Sequence, residues 1–147
     1  MEQFPINELL MTEGMKQIVY NRGVGGFTTD DMLKYMDTQI FDVEPSKIFI
    51  NIGTNDISNP SVSFETALTH MLCNYTEILT QIQTRLPKTD VYLMAYYPAK
   101  TFGFHYINVN AGLTDERGML KKEYTVEGVH MYANAYQIIL KNMKPYL

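Results

Sequence analysis

The chain has 147 residues and a net charge of -4, with 46% hydrophobic and 19% charged residues. Because this length suits one domain, we expect residues 1–147 to form a single domain. The absence of a basic patch argues against a nucleic-acid partner. The only cysteine, Cys73, excludes an intramolecular disulfide and a cysteine-based zinc site. No apolar run approaches the roughly 18 residues of a membrane span, and residues 1–10 resemble neither a signal nor a transit peptide, so the default expectation is a soluble cytoplasmic protein.

The first predicted elements are a strand at residues 17–20 and a glycine-rich loop at residues 21–27. Thr28 then predicts the start of a helix, because a threonine cap is followed three positions later by the acidic Asp31. Apolar residues continue from there at helical spacing, at Met32, Met36 and Ile40.

Strands and helices alternate through the rest of the chain. We predict strands at 47–52, 91–96 and 105–109, a loop at 53–60, and helices at 63–86 and 131–143. The strand at 47–52 is almost continuously apolar, as buried parallel strands are. This alternation predicts a three-layer α/β/α sandwich, with a flavodoxin-like parallel sheet that carries helices on both faces.

The connection between strands 91–96 and 105–109 breaks this pattern. A parallel crossover needs about a dozen residues or more, usually with a helix, and this connection is shorter. Either the two strands pair antiparallel or a crossover segment is absent. We favour the second interpretation.

Ligands of such sheets bind beyond the carboxyl ends of the strands, which directs attention to three segments. In segment 53–56 (Gly-Thr-Asn-Asp), Asn55 could donate its amide to a developing oxyanion, although the same residues are common turn formers. In segment 21–26 (Asn-Arg-Gly-Val-Gly-Gly), backbone N–H groups could bind an anion, or the glycines could form a tight strand-to-helix turn. A dinucleotide or P-loop fingerprint is lacking there, which makes a nucleotide-binding protein the weaker alternative.

The third segment, residues 127–130, contains a carboxylate three residues before a histidine. Glu127 could orient the imidazole of His130, which would then act as a general base near neutral pH. An accidental acidic neighbour at the start of a helix is the alternative. His70 and His105 are interpreted as surface or core residues rather than ligands, and Cys73 as a buried small hydrophobic residue.

Together and in this order, the three segments resemble blocks of the SGNH (GDSL-type) ester hydrolase family, nearest to its platelet-activating-factor acetylhydrolase-like branch. Residues 21–29 are similar to the second block, in which Gly26 matches the glycine that donates its N–H to the oxyanion hole. Residues 52–56 are similar to the G-x-N-D block, in which Asn55 matches the side-chain donor. Residues 125–130 are similar to the D-x-x-H block, which makes His130 the general base.

The chain departs from the family pattern at three places. The G-D-S block with the nucleophilic serine is not found, because residues 1–6 resemble the stretch just after it, and the first strand is absent with it. Glu127 stands where the family has aspartate. The loop and helix that usually follow the strand at 91–96 are also absent.

The resemblance implies an ester hydrolase (a lipase or acylhydrolase) that acts on small acyl, lipid or carbohydrate esters. It implies no cofactor and no metal, and we expect a monomer or homodimer with a small-molecule ester as its partner. Without the nucleophile, the chain as written is expected to be inactive or nearly so. The alternative function is a catalytically silent binding module with the SGNH fold.

Overall fold

The computed structural model describes residues 5–94, 105–117, 119–125 and 131–147. The chain divides into two compact units, one formed by Arg22–Tyr106 and the other by Met1–Asn21 with Ile107–Leu147. The expectation that residues 1–147 form one domain therefore stays a prediction.

The described elements are five α-helices, three strands and three short 3-10 helices. In chain order the helices and strands are α1 (Ile6–Thr12), α2 (Thr29–Gln39), β1 (Lys47–Ile50), α3 (Thr54–Ile57), α4 (Phe64–Arg85), β2 (Asp90–Met94), β3 (His105–Ile107) and α5 (Ala133–Met143). The 3-10 helices are Phe41–Val43, Lys122–Tyr124 and Lys144–Tyr146. The predicted helices at 63–86 and 131–143 and the predicted strands at 47–52, 91–96 and 105–109 are confirmed, with bounds that differ by a few residues where they are described. Residues 95–96 of the second strand lie outside the described residues.

The three strands form one sheet in the order β1-β2-β3. Strands β1 and β2 run parallel, with Lys47 opposite Asp90 and Ile50 opposite Leu93. The mixed α/β class with a parallel sheet is therefore as predicted. The short connection after β2 lies at residues 95–104, outside the described residues, and so do both interpretations of it.

One face of the sheet contributes to the main hydrophobic core, which it shares with α2 and α4. Alternate residues of β1 and β2 point into this core, since side chains of a strand alternate between its faces. The buried core members are Met36, Ile40, Phe41, Ile50, Met71, Tyr75, Ile78, Leu79, Ile82, Val91 and Leu93. The apolar periodicity of both helices is thus explained by packing against the sheet and each other.

The other side chains of the strands form an aromatic ladder. Phe49 of β1 and Tyr92 of β2 are register partners, and their rings stack with centroids 4.8 Å apart. The His105 ring stacks on Tyr92 at 4.9 Å. His105 is exposed, so of the two interpretations of this histidine the surface one holds.

The predicted strand at residues 17–20 is wrong. A strand needs a neighbouring strand for its backbone hydrogen bonds. Here the side chain of Asn7 takes that place, donating from Nδ2 to the Val19 carbonyl at 2.9 Å and accepting from the Val19 N–H at 2.8 Å. Ile18 is 71% exposed and Tyr20 58%, so the apolar run does not face a core.

Helices α1 and α3 were not predicted. Both are short, and α1 buries Leu10 alone, so neither has the apolar repeat that identifies an amphipathic helix.

In the same unit as α1, helix α5 buries Ala135, Leu140 and Met143. Asn142 of α5 donates to the carbonyls of Val109 and Ala111, at 2.8 and 3.0 Å. In the part of the chain that the structure covers, no helix is both long enough and apolar enough to cross a bilayer.

Candidate active site

The glycine-rich loop before α2 ends in a tight turn over residues 24–27. The Phe27 N–H donates to the Val24 carbonyl at 3.3 Å, and Gly26 has a φ of 85°. A positive φ at the third residue of the turn is typical of type II and favours glycine. A Cβ at Gly26 would meet no atom within 4 Å, so the backbone conformation and not the available space requires glycine here.

The second candidate loop follows β1. Gly53, with a φ of 118°, turns the chain sharply into the single-turn helix α3, where Ile57 N–H donates to the Gly53 carbonyl at 3.3 Å. The hydroxyl of Tyr75 on α4 donates to the Ile52 carbonyl at 2.8 Å and so fixes the approach to the turn. Asn55 is thereby placed in the first turn of α3, with its side chain exposed.

A side-chain hydrogen bond joins the two loops. Asn55 Nδ2 donates to the carbonyl of Phe27 at 2.8 Å, directly after Gly26. A primary amide carries two hydrogens, so one of them holds the loops together and the other remains for a ligand. The structure therefore brings together the segments of Gly26 and Asn55, the two predicted oxyanion donors.

A second connection between the loops involves Asp56 and Thr29. Both carboxylate oxygens of Asp56 accept from the Thr29 N–H at 3.1 Å, and Oδ1 also accepts from the Thr29 hydroxyl in a very short hydrogen bond. Thr29 is fully buried at the start of α2. The carboxylate thus accepts from a first-turn N–H group that has no acceptor within its own helix.

The predicted cap of α2 is confirmed as a capping box. Thr28 accepts from the Asp31 N–H at 3.3 Å, and the Asp31 carboxylate accepts from the Thr28 N–H at 3.0 Å and its hydroxyl at 2.8 Å. These hydrogen bonds from Thr28, backbone first, hold the pKa of Asp31 below its ordinary value. The cap fixes where the helix begins, immediately after the loop of Gly26.

The third candidate segment lies outside the described residues, since these omit 126–130. The roles of Glu127 and His130 as orienting carboxylate and general base therefore stay predictions. The residues on either side of the segment are described, and Thr125 and Met131 pair with each other in an antiparallel bridge.

A polar cluster that the sequence analysis missed lies beside Thr29. Asn74 of α4 donates to the Thr29 hydroxyl at 3.0 Å and to Asp30 Oδ1 at 2.8 Å, and His70 Nε2 lies 2.9 Å from Asp30 Oδ2. The hydrogen bonds from His70 and then Asn74 hold the pKa of Asp30 below its ordinary value. Some 40 residues separate Asp30 from His70, so no local spacing in the sequence announces the pair.

The remaining predictions about individual residues concern His70 and Cys73. His70 is exposed, which agrees with its interpretation as a surface residue, and Cys73 is exposed rather than buried. Ser63 caps α4 by accepting from the Thr66 N–H at 3.2 Å, and Ser58 donates to the Thr54 carbonyl at 2.7 Å. Over the described ranges, no group of three histidine, cysteine or carboxylate side chains is arranged to hold a metal ion.

Comparisons with known proteins identify the same family as the sequence blocks do. The model of the GDSL-like lipase/acylhydrolase family matches residues 6–137. A search of curated proteins finds no match.

Solved structures of similar fold were also found. A Streptococcus pneumonia protein whose name links it to platelet activating factor has 27% identity and a TM-score of 0.75, over 97% of this chain and 77% of that one. A GDSL-like lipase from Bacteroides thetaiotaomicron has 18% identity and a TM-score of 0.72, over 95% and 78%. A variant of an acetyl-xylooligosaccharide esterase from Geobacillus stearmophilus has 14% identity and a TM-score of 0.72, over 95% and 77%.

Proposed function

Since the chain belongs to the GDSL-like lipase/acylhydrolase family, we propose that Gly26 and Asn55 form the oxyanion hole of a serine ester hydrolase. The observation that carries this proposal is the 2.8 Å hydrogen bond from Asn55 Nδ2 to the Phe27 carbonyl. It places the side-chain amide against the turn that presents the Gly26 N–H, and it leaves one amide hydrogen free to donate. We also propose His130 as the general base and Glu127 as the carboxylate that orients it, as the resemblance to the D-x-x-H block implies.

The chemistry of such a site follows from where charge develops. A serine oxygen attacks the ester carbonyl carbon while His130 takes its proton, and the carbonyl oxygen becomes an oxyanion that accepts from Gly26 and Asn55. Collapse of this intermediate breaks the bond to the alcohol, which leaves with the proton from His130. Water then hydrolyses the acyl-enzyme by the same steps, and the carboxylic acid is released.

The substrate class we propose is a small acyl, lipid or carbohydrate ester. The acetyl-xylooligosaccharide esterase with the same fold acts on an acetylated carbohydrate, which supports including that class. At 14% identity, that likeness shows the fold alone and does not select among the three classes.

A binding module without turnover is the second candidate. It is favoured by two of the four serines in the chain, since the hydroxyls of Ser58 and Ser63 are engaged with the backbone of α3 and α4. No serine of the 147 residues matches the nucleophile of the family's G-D-S block. The two candidate functions share the same oxyanion donors and differ only in whether a nucleophilic serine is present beside these donors.

The test compares the 147-residue chain with a version that carries an N-terminal strand ending in Gly-Asp-Ser. We expect the extended protein to hydrolyse p-nitrophenyl acetate and to be labelled by a fluorophosphonate at the added serine. Asn55→Asp should lower kcat/KM of the extended protein by about 100-fold or more, because an oxyanion donor is replaced by a negative charge. A panel of p-nitrophenyl esters and acetylated xylose would then define the substrate.

The matched control is Asn59→Asp, which makes the same chemical change four residues further on. The Asn59 side chain accepts from the Ser61 N–H at 3.0 Å and has no part in the proposed site. An equal loss of activity in both variants would contradict the assignment of Asn55. Ester binding without labelling or turnover in the extended protein would instead favour the binding module.

A further inference from the structure

We propose that Asn74, on the long helix α4, is a positioning residue for the two oxyanion donors. This proposal rests on the function proposed above and deepens it. The hydrogen bonds of Asn74 go to neither Gly26 nor Asn55. It acts through Thr29, the residue that begins α2, and through the Asp56 carboxylate beside Asn55.

The orientation of the Asn74 amide follows from its neighbours. Nδ2 lies 2.8 Å from Asp30 Oδ1 and 3.0 Å from Thr29 Oγ1, and a carboxylate oxygen can only accept. Both amide hydrogens are therefore assigned, one to each oxygen. His70 Nε2 lies 3.3 Å from the same nitrogen but is not an acceptor there, because it donates to the Asp30 carboxylate.

The hydrogen bond from Asn74 also fixes the direction in which the Thr29 hydroxyl donates. It accepts from Asn74, so its one hydrogen is free to donate to Asp56 Oδ1. The Thr29 N–H donates to the same carboxylate at 3.1 Å. Since Thr29 is fully buried and Asn74 is only 9% exposed, water has little access to replace either partner.

The consequence for the site comes from the shortness of α3. Asn55 and Asp56 are neighbours in this single helical turn, so a carboxylate fixed on Thr29 also fixes the backbone of Asn55. If Asp56 no longer bonds Thr29, the hydrogen bond from Asn55 to the Phe27 carbonyl still joins the two loops, but it no longer has the support of the Asp56 carboxylate. The donor at position 74 thus keeps the amide of Asn55 aligned with the turn of Gly26.

The direction of the hydrogen bonds gives the proposal a specific test. Asn74→Asp places an acceptor where a donor was, opposite both the Thr29 hydroxyl and the Asp30 carboxylate, and the single hydroxyl hydrogen of Thr29 cannot serve two carboxylates. Adding Asp56→Asn reverses the direction of the hydrogen bonds through Thr29, because the new amide at position 56 donates and the new carboxylate at position 74 accepts. Since this restores the bond to Thr29 but not the one to Asp30, the double variant N74D/D56N should recover part of what N74D loses, in a double-mutant cycle.

The experiment uses the 147-residue chain labelled with 15N and titrated with butyrate, a carboxylate that stands in for the acyl product. We expect butyrate to shift the Asn55 side-chain amide and the Gly26 N–H signals. N74D should weaken this binding about tenfold and displace both signals in the free protein, and N74D/D56N should reverse part of both effects. Thr76→Asp, two residues further along α4 at an exposed position, adds the same charge without these effects.

Ile82→Val serves as the stability control, because Ile82 is fully buried in α4 and lies in the apolar core. It should lower the melting temperature as N74D does, yet leave the Asn55 and Gly26 signals in place. If N74D leaves those signals unmoved, or if the double variant shows no recovery, the positioning role is overturned. If butyrate shifts neither signal in the parent chain, the proposed function fails, and the free-protein signals still decide the role of Asn74.

Discussion

The contact between helices α2 and α4 is polar at one end and apolar at the other. At the start of α2 the contact is polar, with Thr29 and Asp30 bonded to Asn74. Farther along, it is apolar, with Met36 and Ile40 in one core with Ile78, Leu79 and Ile82. Polar contacts are directional and fix the relative positions of specific atoms, whereas apolar burial stabilises with little regard to direction.

This difference matches what each end supports. The polar end lies beside the loops of Gly26 and Asn55, where a displacement of an ångström matters to a reaction. The apolar end holds the sheet against the helices and supplies free energy of folding. We therefore expect substitutions at the two ends to have separable effects on stability and on site geometry.

The largest expected effect on stability is at the apolar end. Ile82→Ala should lower the free energy of unfolding by about 3–4 kcal/mol, because it removes buried methyl groups and leaves a cavity. The measurement is urea denaturation, with the Asn55 side-chain amide signal recorded in the folded protein. We expect that signal to keep its position. A displacement as large as that caused by N74D would show that the two ends are not separable.

An intermediate effect on stability is expected at the polar end. Thr29→Val keeps the side-chain volume but removes the buried hydroxyl that bonds both Asp56 and Asn74. The loss of these two hydrogen bonds should lower the free energy of unfolding by about 1–3 kcal/mol. Unlike Ile82→Ala, it should move the Asn55 amide signal. Thr29→Ser retains the hydroxyl and should leave the signal unmoved. If valine and serine behave alike, the hydroxyl has no part in holding the loops.

The two ends also differ in how far the sequence predicted them. Periodicity identified the apolar end, since Met32, Met36 and Ile40 recur at helical spacing and the strands are nearly continuous apolar runs. The Thr28 cap was found as well, because its partner is three residues away. Local pattern is enough where the interacting residues are close in sequence.

The features that sequence missed depend on distant partners. Residues 17–20 look like a strand, but whether a strand forms depends on a neighbouring strand, and here the Asn7 side chain bonds Val19 instead. Asn74 is an unremarkable polar residue in a helix until the fold places it against Thr29, 45 residues away. For the site, the blocks located Gly26 and Asn55 and the structure joins their loops, while Glu127 and His130 stay predictions.

The smallest expected effect concerns the outer edge of the polar end, where His70 pairs with Asp30. The folded pKa of Asp30 lies below its ordinary 3.8, so its stabilising contribution is present above that pH and is lost as pH falls through the folded pKa. Both side chains are more than half exposed, so screening limits the contribution to less than about 1 kcal/mol. His70→Gln should therefore lower the free energy of unfolding slightly at about pH 5, and this loss should shrink as pH falls through the folded pKa of Asp30. Urea denaturation over a series of pH values from about 5 downward is the measurement, and a loss that does not change with pH would assign His70 a packing role instead.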